Sequence, residues 1–249
     1  LGSCFLVLAS WFLLLGSCLL PLASCLKKKM KTTFTLLFLL SISSINAVEL
    51  DSLRRDHAYV KTIVERSAKI TDKLNFASEA DKVAVTTVVA NRYFQLNDIY
   101  ERRDSLLQVL KADTSLSKEE RAQRTKTILD EKDAALYRTH FAFPAALSLY
   151  LSEDQITAVK DGMTFGVVKV TYDSTLDMIP SLKEDEKAQI LAWLIEAREY
   201  AIDAESSNKK HEVFGKYKGR INNYLSKRGY NLVKEREAWY QRMKEREKK

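Results

Sequence analysis

The sequence predicts an all-α fold: a single helical bundle of about six or seven helices, with an irregular extended crossover near residues 163–180. Three observations lead there. Apolar residues recur every three or four positions along most of the chain after residue 47, the repeat of a helix with one buried face. Only three prolines and seven glycines occur in 249 residues, too few for the tight turns of a β protein. Ser-led tetrads ending in Glu, Asp or Gln stand before the apolar runs, as at helix N-termini.

Leu53, Val60, Ile63, Val64 and Ser67 form the first stripe and predict a helix over about 51–70. Ser78 with Asp81 opens the second, whose stripe runs through Val85, Val89, Tyr93, Leu96, Ile99, Leu106 and Leu110. Its β-branched start weakens local helix propensity, and the length of the stripe decides for helix. Ser117-Lys118-Glu119-Glu120 opens a third, carrying Ile128, Leu129, Leu136 and Tyr137, which Pro144 kinks or ends. Ser152-Glu153-Asp154-Gln155 starts a short fourth helix that Gly162 stops. The β-branched, Gly166-containing run that follows predicts the crossover. The segment Pro180–Glu184 opens the most amphipathic stretch, with Ile190, Leu191, Trp193, Leu194, Ala197 and Ala201. Ser206 or Ser207 caps the next helix, through Phe214, Tyr217, Ile221 and Leu225, and Gly229 suits its end.

Residues 1–29 are apolar, with no Lys or Arg before Lys27. Met30-Lys31, the apolar run 34–42 and small residues up to Ala47 then make the pattern of a secretory signal peptide over 30–47. On that reading 1–29 are upstream sequence outside the natural product, 48–240 are the helical domain and 241–249 a charged tail. The expected address is export to the periplasm, with no stable membrane span in the mature chain. The alternative is a lipid anchor at Cys25, after Leu22-Ala23-Ser24. Cleavage after Ala47 removes Cys4, Cys18 and Cys25, all the cysteines, and with them disulfides, thiolate metal sites and a cysteine nucleophile. It also removes four lysines and no acid, so the net charge falls from +7 to +3. The basic balance is therefore no signal for nucleic acid.

His57, His140 and His211 show no metal-ligand spacing, and neither a phosphate loop nor a nucleophile elbow occurs. No metal and no cofactor is expected, and no catalytic residue can be named. Glu196, Glu199 and Asp203 stack on one helix face, a pattern open to acid–base work or to plain solvation. The densest feature is Gly215–Leu225. Two glycines inside a helix cost about 1 kcal/mol each against alanine, so close helix approach or ligand access is the expected compensation.

Asp161-Gly162-Met163-Thr164-Phe165-Gly166, Val170-Thr171-Tyr172, Met178-Ile179-Pro180, the run from Ala192 to Ala201 and above all Phe214-Gly215-Lys216-Tyr217-Lys218-Gly219-Arg220-Ile221-Asn222-Asn223-Tyr224-Leu225 resemble domain-of-unknown-function family 3826. The resemblance covers roughly residues 51–239, and Pro144 departs from its uninterrupted helix. It implies an exported protein of Bacteroidetes, a family sometimes encoded beside polysaccharide-degrading enzymes, and carries over no catalytic residue.

The reading these features favour is a non-catalytic periplasmic binding or accessory protein, linked to polysaccharide utilisation. Its expected ligand surface combines Tyr172, Asp173, Arg198, Lys216, Tyr217, Lys218, Arg220 and Asn223, donors interleaved with aromatic faces. The expected partner is carbohydrate or another envelope protein, not nucleic acid. Two alternatives stand beside it: a carbohydrate-active enzyme using Asp173, Glu196 or Glu199, and a chaperone-like or stress-response helical protein with a concave apolar or basic face.

Overall fold

The computed structural model describes residues 48–248; the readings for 1–29 and 30–47 lie outside them. Among the described residues nine helices follow one another: α1 (His57–Thr71), α2 (Glu79–Ala112), α3 (Lys118–His140), α4 (Ala142–Leu147), α5 (Glu153–Met163), α6 (Val167–Met178), α7 (Glu184–Ala201), α8 (Ser207–Lys227) and α9 (Leu232–Glu247). No strand occurs among them. The all-α class is as expected, and the helices outnumber the six or seven anticipated. One addition is α4, where Pro144 sits in the first turn and its missing N–H sacrifices nothing.

The helix starts are where the capping residues put them. Asp56, Ser78, Ser117, Ser152, Ser206 and Asn231 each accept a hydrogen bond from the backbone N–H three residues on, a contact whose loss costs about 1 kcal/mol. Because Asp56 is the cap, α1 begins later than the stripe suggests, and Leu53 is left exposed in the preceding turn. At α7 only the return bond forms: Glu186 accepts from the Lys183 N–H at 2.9 Å.

The expected extended crossover is instead α6. Two successive left-handed residues, Phe165 (φ 61°) and Gly166 (φ 66°), reverse the chain after α5 and let a helix restart at once. The β-branched residues that argued for extended backbone are carried by packing. Val168 is buried in a core with α7 and α8, and Val167, Tyr172 and Leu176 pack around it. Hydroxyls of Ser174 and Thr175 bond back to the carbonyls of Val170 and Thr171 at 2.7 Å each. Tertiary contact overrides a propensity worth only tenths of a kcal/mol per residue.

Two large apolar cores result, beside a small cluster of Ile63, Ala90 and Phe94 between α1 and α2. The first joins α1, α2, α4 and α5 through Ile70, Val85, Val89, Phe143, Leu147, Val159 and Met163. The second joins α6, α7 and α8 through Val168, Ile190, Leu194, Ala197, Phe214, Ile221 and Leu225. Ile202, just past α7, is the point where the second half reaches into the first core. The residues expected as a charged tail continue α9, which is clasped to the end of α6. Trp239 Nε1 donates to Asp177 at 2.6 Å, Arg246 pairs with both oxygens of that carboxylate, and Arg242 donates to the carbonyls of Asp177 and Met178. These donors hold the Asp177 carboxyl down at about 2, Arg246 first and Trp239 next.

The helical glycines divide sharply. A Cβ on Gly162 would lie 2.7 Å from Ile70 Cγ2, so α5 and α1 meet there because no side chain intervenes. Gly215 and Gly219 face open space, which overturns the close helix approach expected for them. The same substitution should therefore act with opposite sign. Gly215→Ala and Gly219→Ala are expected to raise stability by about 1 kcal/mol each. Gly162→Ala should lower it by about 1–3 kcal/mol through overpacking. Urea unfolding midpoints read both, and a destabilised Gly215→Ala would refute the open-space geometry.

Candidate functional site

Three cations sit on apolar stripes. Arg92 shares a helical face with Val85, Val89 and Leu96, Arg198 with Leu194 and Ala201, and Lys210 with Phe214 and Ile221. All three are buried. A charge on a buried stripe needs partners, because desolvation alone would expel it.

Those partners lie across the boundary between the two cores. Arg92 is 1% exposed and donates to Asp203 Oδ1 at 2.6 Å, to Gln95 and to Thr139. The other Asp203 oxygen is 2.8 Å from His140 Nδ1, and Tyr100 donates to the Asp203 carbonyl. His140 Nε2 faces Glu199 at 3.9 Å, and Lys160 pairs with the same Glu199 oxygen at 2.7 Å. Burial pushes the Glu199 carboxyl up, but Lys160 and Arg198 outweigh it and leave it below the ordinary glutamate value. Arg198 completes the row with Asp161 and Glu199 at 3.0 and 3.1 Å. Lys210 donates to the Met163 carbonyl at 2.9 Å and lies over the Tyr93 ring. A polar seam thus joins the two halves. Among the described residues no group of three or more His, Cys, Asp or Glu is placed to hold a metal ion.

Beside the seam lies a cleft of about 580 Å³ between α2, α3 and α4, within the range of small-molecule sites. Val88, Ile99, Ala135, Ala142, Phe143 and Ala146 make its apolar wall; Asp51, Asn91, Arg92, Gln95, Asp98, Arg138 and Thr139 supply the polar part. Arg55 pins both acids at 2.7 Å. The buried Arg92 Nε has no hydrogen-bond partner among the described residues. Exposed Arg138 has neither a hydrogen bond nor an ion pair among them.

The residues expected to bind ligand do not converge. Tyr172 is half-buried against the second core, and exposed Asp173 pairs with Lys169 at 2.6 Å. Arg198 is consumed by the seam. Lys216, Lys218 and Asn223 are exposed on α8. Only Tyr217 and Arg220 come together: the Arg220 guanidinium lies 4.5 Å from the Trp193 ring centre and 6.0 Å from that of Tyr217, and 3.4 Å from Glu196. Burial and the neighbouring Glu196 carboxylate push the Tyr217 hydroxyl up to about 12. None of the eight lines the cleft. Nor do the three acids named for an enzyme share a site, since Asp173, Glu196 and Glu199 each answer a different cation. What sequence reasoning missed were Arg92, Arg138 and the His140–Asp203 contact. For Arg92 the signal was present, as a charge in phase with a buried stripe.

Consecutive helices, two large apolar cores and a charged seam beside a mixed cleft define the class: an all-α domain built from helices laid against their sequence neighbours. No described helix is long and apolar enough to cross a membrane. The chain belongs to the family described as protein of unknown function (DUF3826), whose model matches residues 60–245. No curated protein matches it.

Proposed function

We propose that this is an exported, non-catalytic binding protein, an accessory to polysaccharide utilisation, whose ligand sits in the cleft between α2, α3 and α4. The observation that carries the reading is the cleft itself: an apolar wall of Val88, Ala142, Phe143 and Ala146 facing polar side chains, of which exposed Arg138 has no protein partner among the described residues. The leader pattern of residues 30–47 supports export, and the family resemblance supports the link to polysaccharides. Calorimetry against a panel of neutral and acidic oligosaccharides tests it. Heat is expected for some members and should vanish in Ala142→Trp, which fills the cleft from an exposed position at the start of α4. Silence across the panel, or unchanged heat in that variant, would remove the reading.

One observation favours the chaperone-like alternative. Helix α3 buries no residue, and Leu106, Val109 and Leu129 are exposed along the α2–α3 hairpin. Suppression of aggregation of an unfolded client, lost on Val109→Glu, would favour that role over the cleft.

A further inference from the structure

The α2–α3 hairpin is long for what it buries. Between Leu96 and Leu110 no residue of α2 is buried, and α3 buries none over its 23 residues. One side of the hairpin carries two grooves end to end, of about 390 and 310 Å³, which share Leu106 and Ile128. The α2 wall there is Arg102, Leu106, Val109 and Asp113, spaced four, three and four, the spacing of one helix face. The α3 wall includes Arg124, Ile128 and Glu131, spaced four and three. Val109 is 70% exposed and Leu106 37%. Arg102, Arg124 and Glu131 have no hydrogen bond or ion pair among the described residues. Asp113 engages one carboxylate oxygen with Ser115.

The order of charges on this face is symmetric end for end. On α2 a base stands four residues before Leu106 and an acid four residues after Val109. On α3 a base stands four residues before Ile128 and an acid three after it. Both patterns centre on one groove, between Leu106 and Val109 on one wall and at Thr127 and Ile128 on the other, so a single axis serves both helices. We infer that two copies of the chain dock through this face, α2 on α2 and α3 on α3, antiparallel about a two-fold axis. Arg102 then opposes the partner's Asp113, Arg124 the partner's Glu131, and Leu106 the partner's Val109. A two-fold contact requires a self-complementary patch of this kind. A partner of uniform charge would meet either the bases or the acids with its own sign. The two bodies lie at opposite ends, which leaves the inner end of the cleft, at Val88 and Ala146, uncovered. The shared surface is roughly 25 Å of hairpin, roughly 20 Å wide. It buries about 1,000 Å² in total, the lower edge for specific interfaces, so dissociation in the micromolar range is expected.

Sedimentation equilibrium of the mature chain over a wide range of concentration tests the pairing. The mass is expected to rise from monomer to dimer. Arg124→Glu and Glu131→Arg, both at exposed positions, should each weaken association about tenfold, since each breaks a pair in both halves of the interface. The two changes in one chain should restore it, because opposite charges face each other again across the axis. Within one chain the two residues are seven positions apart and are not helix neighbours. Thermal unfolding of all four proteins in dilute solution should coincide, which separates a lost contact from a lost fold. A monomer at every concentration would overturn the inference. So would a dimer that the single changes leave as tight as before, or one that the double change fails to recover. A monomer that suppresses aggregation of an unfolded client through Val109 would give this face to the chaperone-like role instead.

Discussion

Arg92→Met should lower the stability of the chain by about 3–5 kcal/mol, the usual penalty for removing one partner of a buried ion pair. Methionine fills the volume of the arginine stem, so the loss reports charge and not a cavity. It arises because Asp203, 13% exposed, keeps its carboxylate at the seam without the donor that met it at 2.6 Å. Gln95 and Thr139 lose a donor as well. Replacing both ends, Arg92→Met with Asp203→Leu, should recover part of the loss, since no charge then remains stranded. His140 would still lack the Asp203 oxygen 2.8 Å from its Nδ1, which limits the recovery. Denaturant unfolding measures all three chains. A single-variant loss below about 1 kcal/mol, the scale of an exposed pair, would mean that the seam is solvated and contributes little.

The second large effect is a pH dependence. Burial, with help from nearby Arg66, pulls Lys210 from its ordinary 10.5 down to about 8. Between those values the unfolded chain binds a proton that the folded chain has released, so stability rises with pH across that window. Below about pH 8 the folded protein carries the buried ammonium, and the penalty is present in full. At 1.36 kcal/mol per unit the difference amounts to about 3 kcal/mol. Lys210→Met removes the charge and leaves the Met163 carbonyl without its donor, so its absolute stability mixes a gain with a loss. The slope does not mix. The advantage of Lys210→Met over wild type should be greatest below pH 8 and shrink steadily toward pH 10.5. Parallel stability curves through that window would show that the ammonium is solvated.

Local chemistry was legible in the sequence and long-range partnership was not. Ser78, Ser117, Ser152 and Ser206 declare helix starts by themselves, because a cap bonds three residues ahead and needs nothing else. Residues 163–180 misled for the same reason in reverse. Their β-branched run argues for extended chain locally, and only the second core, assembled from α7 and α8, makes it a helix. Gly215 and Gly219 looked like a packing device because spacing says nothing of which way a helix face turns. The binding residues were sought where donors crowd together in sequence, around Gly215–Leu225. The structure instead lines its cleft with residues of α2, α3 and α4, Arg92 and Arg138 among them. Arg92 meets Asp203 across 111 positions, a distance no local pattern can bridge.

The way the seam is built bears on how the chain opens. Helices touch chiefly their neighbours in sequence, α1 with α2, α2 with α3, α6 with α7 and α7 with α8, so each half can assemble early from short-range encounters. The bonds that cross the seam, Arg92–Asp203 and Arg198–Asp161 among them, join residues 37 to 111 apart, and form only when both halves exist. Parting them would leave each greasy interior almost whole and expose mainly groups that water welcomes. Sub-global parting of this kind is cheaper than melting either half, which makes the stretch around Ile202 and Asp203 the natural fault line of the molecule.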